Sequence, residues 1–104
     1  MTTRAIFKLR DKFIKGCQKQ LQLIGQKDAR RWTFPYGDEI AIQLRFGVYP
    51  IGDVLPCEDE EDVEDELTAA IIYAKQGMYD ELLLEASRKL SASAKQREKE
   101  PTGE

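Results

Sequence analysis

The first quarter of the chain alternates apolar and charged residues with helical spacing. Apolar side chains recur at steps of three and four, namely Ile6, Leu9, Phe13, Cys17, Leu21 and Ile24. Thr2 or Thr3 supplies an N-cap, and Gly25 supplies a stop signal. The pattern predicts a helix from about Thr3 to Gln26 with one buried face.

The middle of the chain carries the pattern of a β-hairpin. Arg30–Phe34 is rich in strand-forming residues, and Pro35–Asp38 has the composition of a turn. Glu39–Phe46 alternates, with four apolar residues on one predicted face: Ile40, Ile42, Leu44 and Phe46. Gly47–Pro56 fits either a third strand or a packed loop, and the sequence leaves this choice open.

The second half of the chain predicts two helices, from about Asp59 to Gln76 and from about Met78 to Ser93. Their predicted inner residues are Val63, Leu67, Ala70, Ile71 and Ala74, followed by Tyr79, Leu82, Leu83, Ala86 and Leu90. Gly77 leaves so short a connection that the helices must be antiparallel. The stretch Ile72–Leu82 resembles the turn region of a tetratricopeptide helix pair. The resemblance covers one hairpin and implies that hairpin alone.

These elements predict a small α+β fold in the order α-β-β-α-α. A β-hairpin sheet would pack on the N-terminal amphipathic helix, and an antiparallel helical hairpin would close the core. Residues 1–93 form the expected single domain, and residues 94–104 an expected disordered polar tail. No apolar run reaches the roughly 18 residues that a bilayer requires, and no secretory signal precedes the first helix. A cytoplasmic protein without membrane contact is therefore expected.

Charge is divided unevenly between the two halves of the chain. Residues 1–46 contain ten Lys or Arg and four Asp or Glu, a balance of +6. Residues 47–104 contain six and fifteen, a balance of −9, so the net charge is −3. This division predicts contacts with partners through charged surfaces.

An acidic run at the start of the second helix is the first candidate binding site. Acidic residues in the first helical turn favour the helix dipole, which accounts for only part of the run. The others repel one another, so a docking patch for a basic partner surface is the functional interpretation. The candidate residues are Glu58, Asp59, Glu60, Glu61, Asp62, Glu64 and Asp65. The run lacks the glycine and ligand spacing of an EF-hand calcium loop.

A basic ridge on the first helix is the alternative site. Its lysines fall on the side opposite the apolar stripe, and Arg30, Arg31 and Trp32 follow in the predicted strand. Cations beside an outward-facing aromatic ring are typical of nucleic-acid contacts. The ridge lysines are Lys8, Lys12, Lys15 and Lys19. The basic ridge of one copy meeting the acidic helix of another would give a homodimer.

Catalytic chemistry finds little support in the sequence. The chain contains no histidine and two cysteines, and it has no phosphate-binding glycine loop. Cys17 lies on the apolar stripe, and Cys57 precedes the acidic run, whose charge raises a thiol pKa. The sequence therefore predicts a non-catalytic protein without metal or cofactor. It would be a small adaptor or inhibitor, of the type found among phage or mobile-element accessory proteins.

Overall fold

A computed structural model describes residues 3–99 and shows a three-helix α+β domain, which confirms the predicted fold class. The helices are α1 (Thr3–Gln22), α2 (Glu60–Lys75) and α3 (Asp80–Lys99). The strands are β1 (Thr33–Tyr36), β2 (Glu39–Ile42), β3 (Arg45–Phe46), β4 (Tyr49–Pro50) and β5 (Leu55–Cys57). None of the helices in this described part of the chain has the length and hydropathy that a membrane crossing requires.

Helix α1 forms the centre of the core. Its Phe13 and Cys17 are buried, and they belong to one apolar cluster with Leu67 and Ala74 of α2 and Leu83 of α3. The helix contacts both other helices and also strand β3. The periodicity of α1 and α2 was therefore a correct guide to the faces that these helices bury.

The strands form two small sheets instead of one hairpin. Strands β1, β2 and β5 make an antiparallel sheet in the order β1-β2-β5, and β3 pairs with β4 in a second sheet. The first strand begins at Thr33, not at Arg30, and its turn to β2 is Gly37-Asp38. The undecided stretch Gly47–Pro56 contains strand β4 and the start of β5.

The predicted single strand Glu39–Phe46 is wrong because the chain changes sheets at Gln43. This residue is 7% exposed, and its side-chain amide donates to the carbonyl oxygens of Leu44, Ile51 and Gly52. Those bonds satisfy a buried amide at the point where the chain leaves the first sheet. The predicted alternation fails at the same place, because Ala41 through Leu44 are all buried.

Both outer strands of the three-stranded sheet contain proline. Pro35 lies in β1 and Pro56 in β5, and each is paired with the central strand on one side only. Proline lacks the N–H that a further strand would need, so it is tolerated at an edge and limits edge-to-edge pairing.

Helices α1 and α3 end at other residues than predicted. Helix α1 ends at Gln22, before Gly25, which has φ +78°. Helix α3 begins at Asp80 and continues to Lys99 instead of ending at Ser93. Six residues assigned to the polar tail are therefore helical, and residues 100–104 lie outside the described part. Leu82, predicted to face inward, is 39% exposed.

Gly16 allows Trp32 to pack against α1. A Cβ atom at this position would lie 3.2 Å from the indole ring. We expect Gly16→Leu to lower the free energy of unfolding by about 1–3 kcal/mol, because the ring has to move away from the helix. Gln18→Leu is the matched control at an exposed position of α1, with an expected change within about 0.5 kcal/mol. Urea unfolding of both variants measures the difference, and equal losses would contradict the close packing.

Candidate interaction surfaces

The acidic run begins with a pair of helix caps. Asp59 is the N-cap of α2, and its carboxylate accepts a hydrogen bond from the backbone N–H of Asp62 at 3.0 Å. The carboxylate of Asp62 in turn accepts from the N–H of Glu58 at 2.9 Å. These bonds satisfy backbone donors that a helix start leaves unpaired. Asp59 and Asp62 therefore have a structural role.

Glu60 joins the acidic run to the basic part of the chain. Both of its oxygens accept from Arg31, at 2.7 and 2.6 Å, in a bidentate pair. The Arg31 side chain is only 11% exposed. The hydrogen bonds from this guanidinium lower the pKa of Glu60 despite its partial burial. One residue of each predicted site thus neutralises the other within the same molecule.

Three further carboxylates of the run form an exposed surface on α2. Glu61, Glu64 and Asp65 are all exposed, and no Lys or Arg among residues 4–92 lies within ion-pair distance of them. The buried residues Val63 and Leu67 hold the opposite side of the helix in the core. We call these three carboxylates the acidic face. Glu58, just before the helix, is exposed as well.

The four ridge lysines of α1 are also exposed. Lys8 and Lys19 extend from the same side of the helix, whereas Lys15 pairs with Asp11 at 3.1 Å in an exposed contact. The ammonium group of Lys12 lies 5.2 Å from the centre of the Phe46 ring. We call the four lysines the basic ridge. It remains available for a polyanion or an acidic protein surface.

The other predicted nucleic-acid contacts do not extend this ridge. Trp32 stacks on Phe13 with ring centres 6.4 Å apart, and it packs against the core. The side-chain amide of Gln20 holds this segment in place. It accepts a hydrogen bond from the backbone N–H of Trp32 at 2.7 Å and donates one to the backbone carbonyl of Arg30 at 2.8 Å. The exposed Arg30 side chain pairs with Asp28.

A groove between α1 and the end of α2 was missed by the sequence interpretation. It has a volume of about 270 Å³ and is lined by Phe7, Arg10, Asp11, Ile14 and Lys75. Phe7 is 56% exposed. The signal lay in the seven-residue spacing of Phe7 and Ile14, which puts both on a flank of α1 beside the main apolar stripe.

Arg10, which lines this groove, also makes a contact that the sequence did not predict. It forms a bidentate pair with Asp80 at the start of α3, at 2.8 and 2.6 Å. Gly77, with φ +83°, permits the contact, because a Cβ there would lie 2.8 Å from the guanidinium. The hydrogen bonds from Arg10 lower the pKa of Asp80.

The two thiols are held in their protonated form. Burial raises the pKa of Cys17 to about 12. Burial and the neighbouring carboxylates, Glu66 first, raise the pKa of Cys57 to about 11. Both shifts are opposite in direction to those of an activated nucleophile. Among the side chains that the structure describes, those of residues 4–92, no three from His, Cys, Asp or Glu are grouped so that they could hold a metal ion.

Comparison of the chain with protein-family models, with curated proteins and with solved structures found no match. The geometry of the two charged surfaces is therefore the basis of the proposed function.

We expect the bidentate pair between Arg31 and Glu60 to stabilise the fold. Glu60→Gln leaves a largely buried guanidinium without its counter-ion, so we expect a loss of about 1–3 kcal/mol in unfolding free energy. Glu61→Gln is the adjacent control, with an expected change within about 0.5 kcal/mol. Urea unfolding at low salt compares the two variants. A loss at Glu60 no larger than that at Glu61 would contradict a stabilising pair.

The pKa shifts also predict how stability depends on pH. Hydrogen bonds from Arg30 lower the pKa of Asp28 to about 2, and those of Glu60 and Asp80 are lowered as well. A carboxyl pKa that is lowered in the folded state stabilises the protein at pH values above the ordinary pKa, near 4. This stabilisation is lost as the pH falls through the pKa of the folded state. The raised pKa values of the two thiols stabilise the protein at pH values below their ordinary pKa of 9.0. This stabilisation is lost as the pH rises toward 11 and 12.

With no histidine in the chain, we expect a constant unfolding free energy between about pH 6 and pH 8. Stability should fall below about pH 4 and above about pH 9. Urea unfolding under reducing conditions across this range measures the profile. A marked change between pH 6 and 8 would show that another group controls stability.

Proposed function

We propose that this protein is a non-catalytic interaction protein, an adaptor or inhibitor, that docks onto a basic surface of a larger protein. The acidic face of α2 would make the contact. One observation carries the proposal: Glu61, Glu64 and Asp65 are exposed, and no cation among the described side chains pairs with them. A basic partner would supply the missing counter-ions.

The neighbouring acidic residues differ from the acidic face because they have structural roles. Asp59 and Asp62 cap the helix, and Glu60 binds Arg31. These three residues therefore stabilise the fold. Glu64 and Asp65 make no such contact with a described side chain. They also lie beyond the first turn of α2, and the stabilising effect of the helix dipole on carboxylates is confined to that turn. Like charges at such close spacing repel, and a basic partner removes that repulsion.

Nucleic-acid binding through the basic ridge is the alternative, and the contacts of two residues weigh against it. Arg31 is bound to Glu60 and Trp32 is packed on Phe13, so neither extends the ridge. The negatively charged phosphate backbone would also be repelled by a protein whose net charge is −3. The protein partner is therefore the stronger proposal.

Capture from a bacterial lysate, with nuclease added, tests the proposed function. We expect the wild-type protein to retain a basic protein at about 0.05 M salt and to release it at about 0.5 M. The variant E61K/E64K/D65K should capture at least about tenfold less of that protein, because its docking charge is reversed.

The matched control is E39K/D53K/E81K, which changes the net charge equally at three exposed carboxylates outside α2. It should bind as the wild type does. Equal capture by both triple variants would contradict a specific acidic face. Recovery of nucleic acid alone, lost with nuclease and with K8E/K12E, would favour the alternative function.

A further inference from the structure

We propose that the groove between α1 and the end of α2 docks a short segment of another protein, one that carries a large apolar side chain with a carboxylate beside it. Two features of the groove carry this inference: apolar surface supplied by α1, and a cation of α2 that has no counter-ion among the described side chains. The inference goes beyond the proposed function, because it concerns a second surface and a second kind of partner.

The apolar part of the groove comes from α1. The groove has a volume of about 270 Å³ and is lined by Phe7, Arg10, Asp11, Ile14 and Lys75. Phe7 and Ile14 are two helical turns apart, about 10 Å along the axis of α1. Phe7 is 56% exposed, and Ile14 is half-buried. Both side chains therefore keep apolar surface in contact with water, and an occupant that covers this surface is favoured by the hydrophobic effect.

Two of the three charged residues that line the groove already have partners. Arg10 forms its bidentate pair with Asp80 at 2.8 and 2.6 Å, and its guanidinium lies 5.2 Å from the centre of the Phe7 ring. Asp11 pairs with Lys15 at 3.1 Å. Arg10 is thus held in place beside the Phe7 ring, where it helps to shape the groove.

Lys75 provides the charge that an occupant has to match. It is exposed, and no carboxylate among the described side chains lies within ion-pair distance of its ammonium group. The carbonyl groups of Tyr73 and Ala74, near the end of α2, are satisfied by backbone N–H groups of the turn that follows. The ammonium group is therefore available to a carboxylate of the occupant, which makes the groove complementary to an acidic segment and not to a basic one.

The size of the groove favours a segment of a protein over a small-molecule ligand. Sites that enclose a small molecule usually have volumes of about 300–1,000 Å³ and bury most of the ligand. This groove is smaller, at about 270 Å³, and both Phe7 and Lys75 are exposed. One apolar side chain fills such a space while the rest of its segment continues across the surface, as in other grooves that bind peptides.

The groove and the acidic face lie on different parts of α2 and prefer opposite charges. Asp65 of the acidic face and Lys75 of the groove are ten residues apart, about 15 Å along the helix. This distance exceeds the screening length of about 8 Å at physiological ionic strength, so each surface attracts its own partner. A protein with both surfaces would join a basic protein to an acidic one, as an adaptor does. This last step alone rests on the proposed function.

An NMR titration of the isotope-labelled protein tests the groove. The probe, called the glutamate peptide, is a short acetylated and amidated peptide with one phenylalanine between two glutamates and only glycine and serine elsewhere. We expect it to shift the backbone amide signals of Phe7, Ile14 and Lys75 and to leave that of Val48 unchanged. The lysine peptide, which has lysines in place of the glutamates, should bind at least about threefold more weakly.

Four single variants separate the charge from the apolar surface. Lys75→Glu should weaken binding of the glutamate peptide at least about threefold and strengthen binding of the lysine peptide, because the charges that meet are exchanged. Lys27→Glu is its matched control at an exposed lysine outside the groove. Phe7→Ala should weaken binding at least about fivefold. Its control is Val48→Ala, at an apolar residue that is 73% exposed and lies outside the groove. Both controls should bind as the wild type does, and far-UV circular dichroism checks that every variant remains folded.

Three results would overturn the proposal. The first is a titration without the expected amide shifts, and the second is equal binding of the two peptides. The third is a set of shifts at Phe7 and Ile14 that grows with protein concentration in the absence of peptide, which would assign the groove to a second copy of this chain. A protein that fails to bind the peptide but still captures a basic protein through its acidic face would refute the groove and leave the proposed function intact.

Discussion

The packing of α1 against α2 organises the fold, because α1 also contacts α3 and strand β3. Buried residues such as Phe13, Cys17 and Leu67 supply its hydrophobic stabilisation. Two bidentate arginine pairs fasten neighbouring segments to these helices, Arg31 with Glu60 and Arg10 with Asp80. The first holds the start of α2 beside the loop that leaves α1, and the second holds the start of α3 against α1.

This contact decides which charges remain available at the surface. The acidic run does not act as one unit: two of its residues cap α2, one is bound by Arg31, and the acidic face stays exposed. The basic part of the chain is divided in the same way, because Arg31 is neutralised while the ridge lysines stay exposed. A strong separation of charge along the sequence thus becomes two smaller exposed surfaces and two ion pairs between the halves, Arg31–Glu60 and Arg10–Asp80.

The sequence was a good guide where local rules decide the structure. Periodicity predicted the buried faces of α1 and α2, and the backbone preference of Gly77 predicted the turn between α2 and α3. It was a poor guide where partners are distant in the chain. Arg10 and Asp80 are 70 residues apart, and no local pattern joins them.

Gln43 shows the same limit at the sheet. In an alternating strand a glutamine is expected to face solvent, yet this one is buried by bonds to three carbonyl groups around Gly52 and Leu44. Those contacts ended the predicted strand four residues early. The groove residue Phe7 was missed for a different reason, since it lies on a flank of α1 beside the main apolar stripe.

We propose that the carboxylates of α2 beyond its first turn serve contact with another molecule and not folding. Urea unfolding of E64Q/D65N at low salt distinguishes these two roles. We expect an unfolding free energy equal to or higher than that of the wild-type protein, because neutral side chains remove repulsion without removing a described partner. A clear loss of stability would contradict it and would assign these carboxylates to the fold.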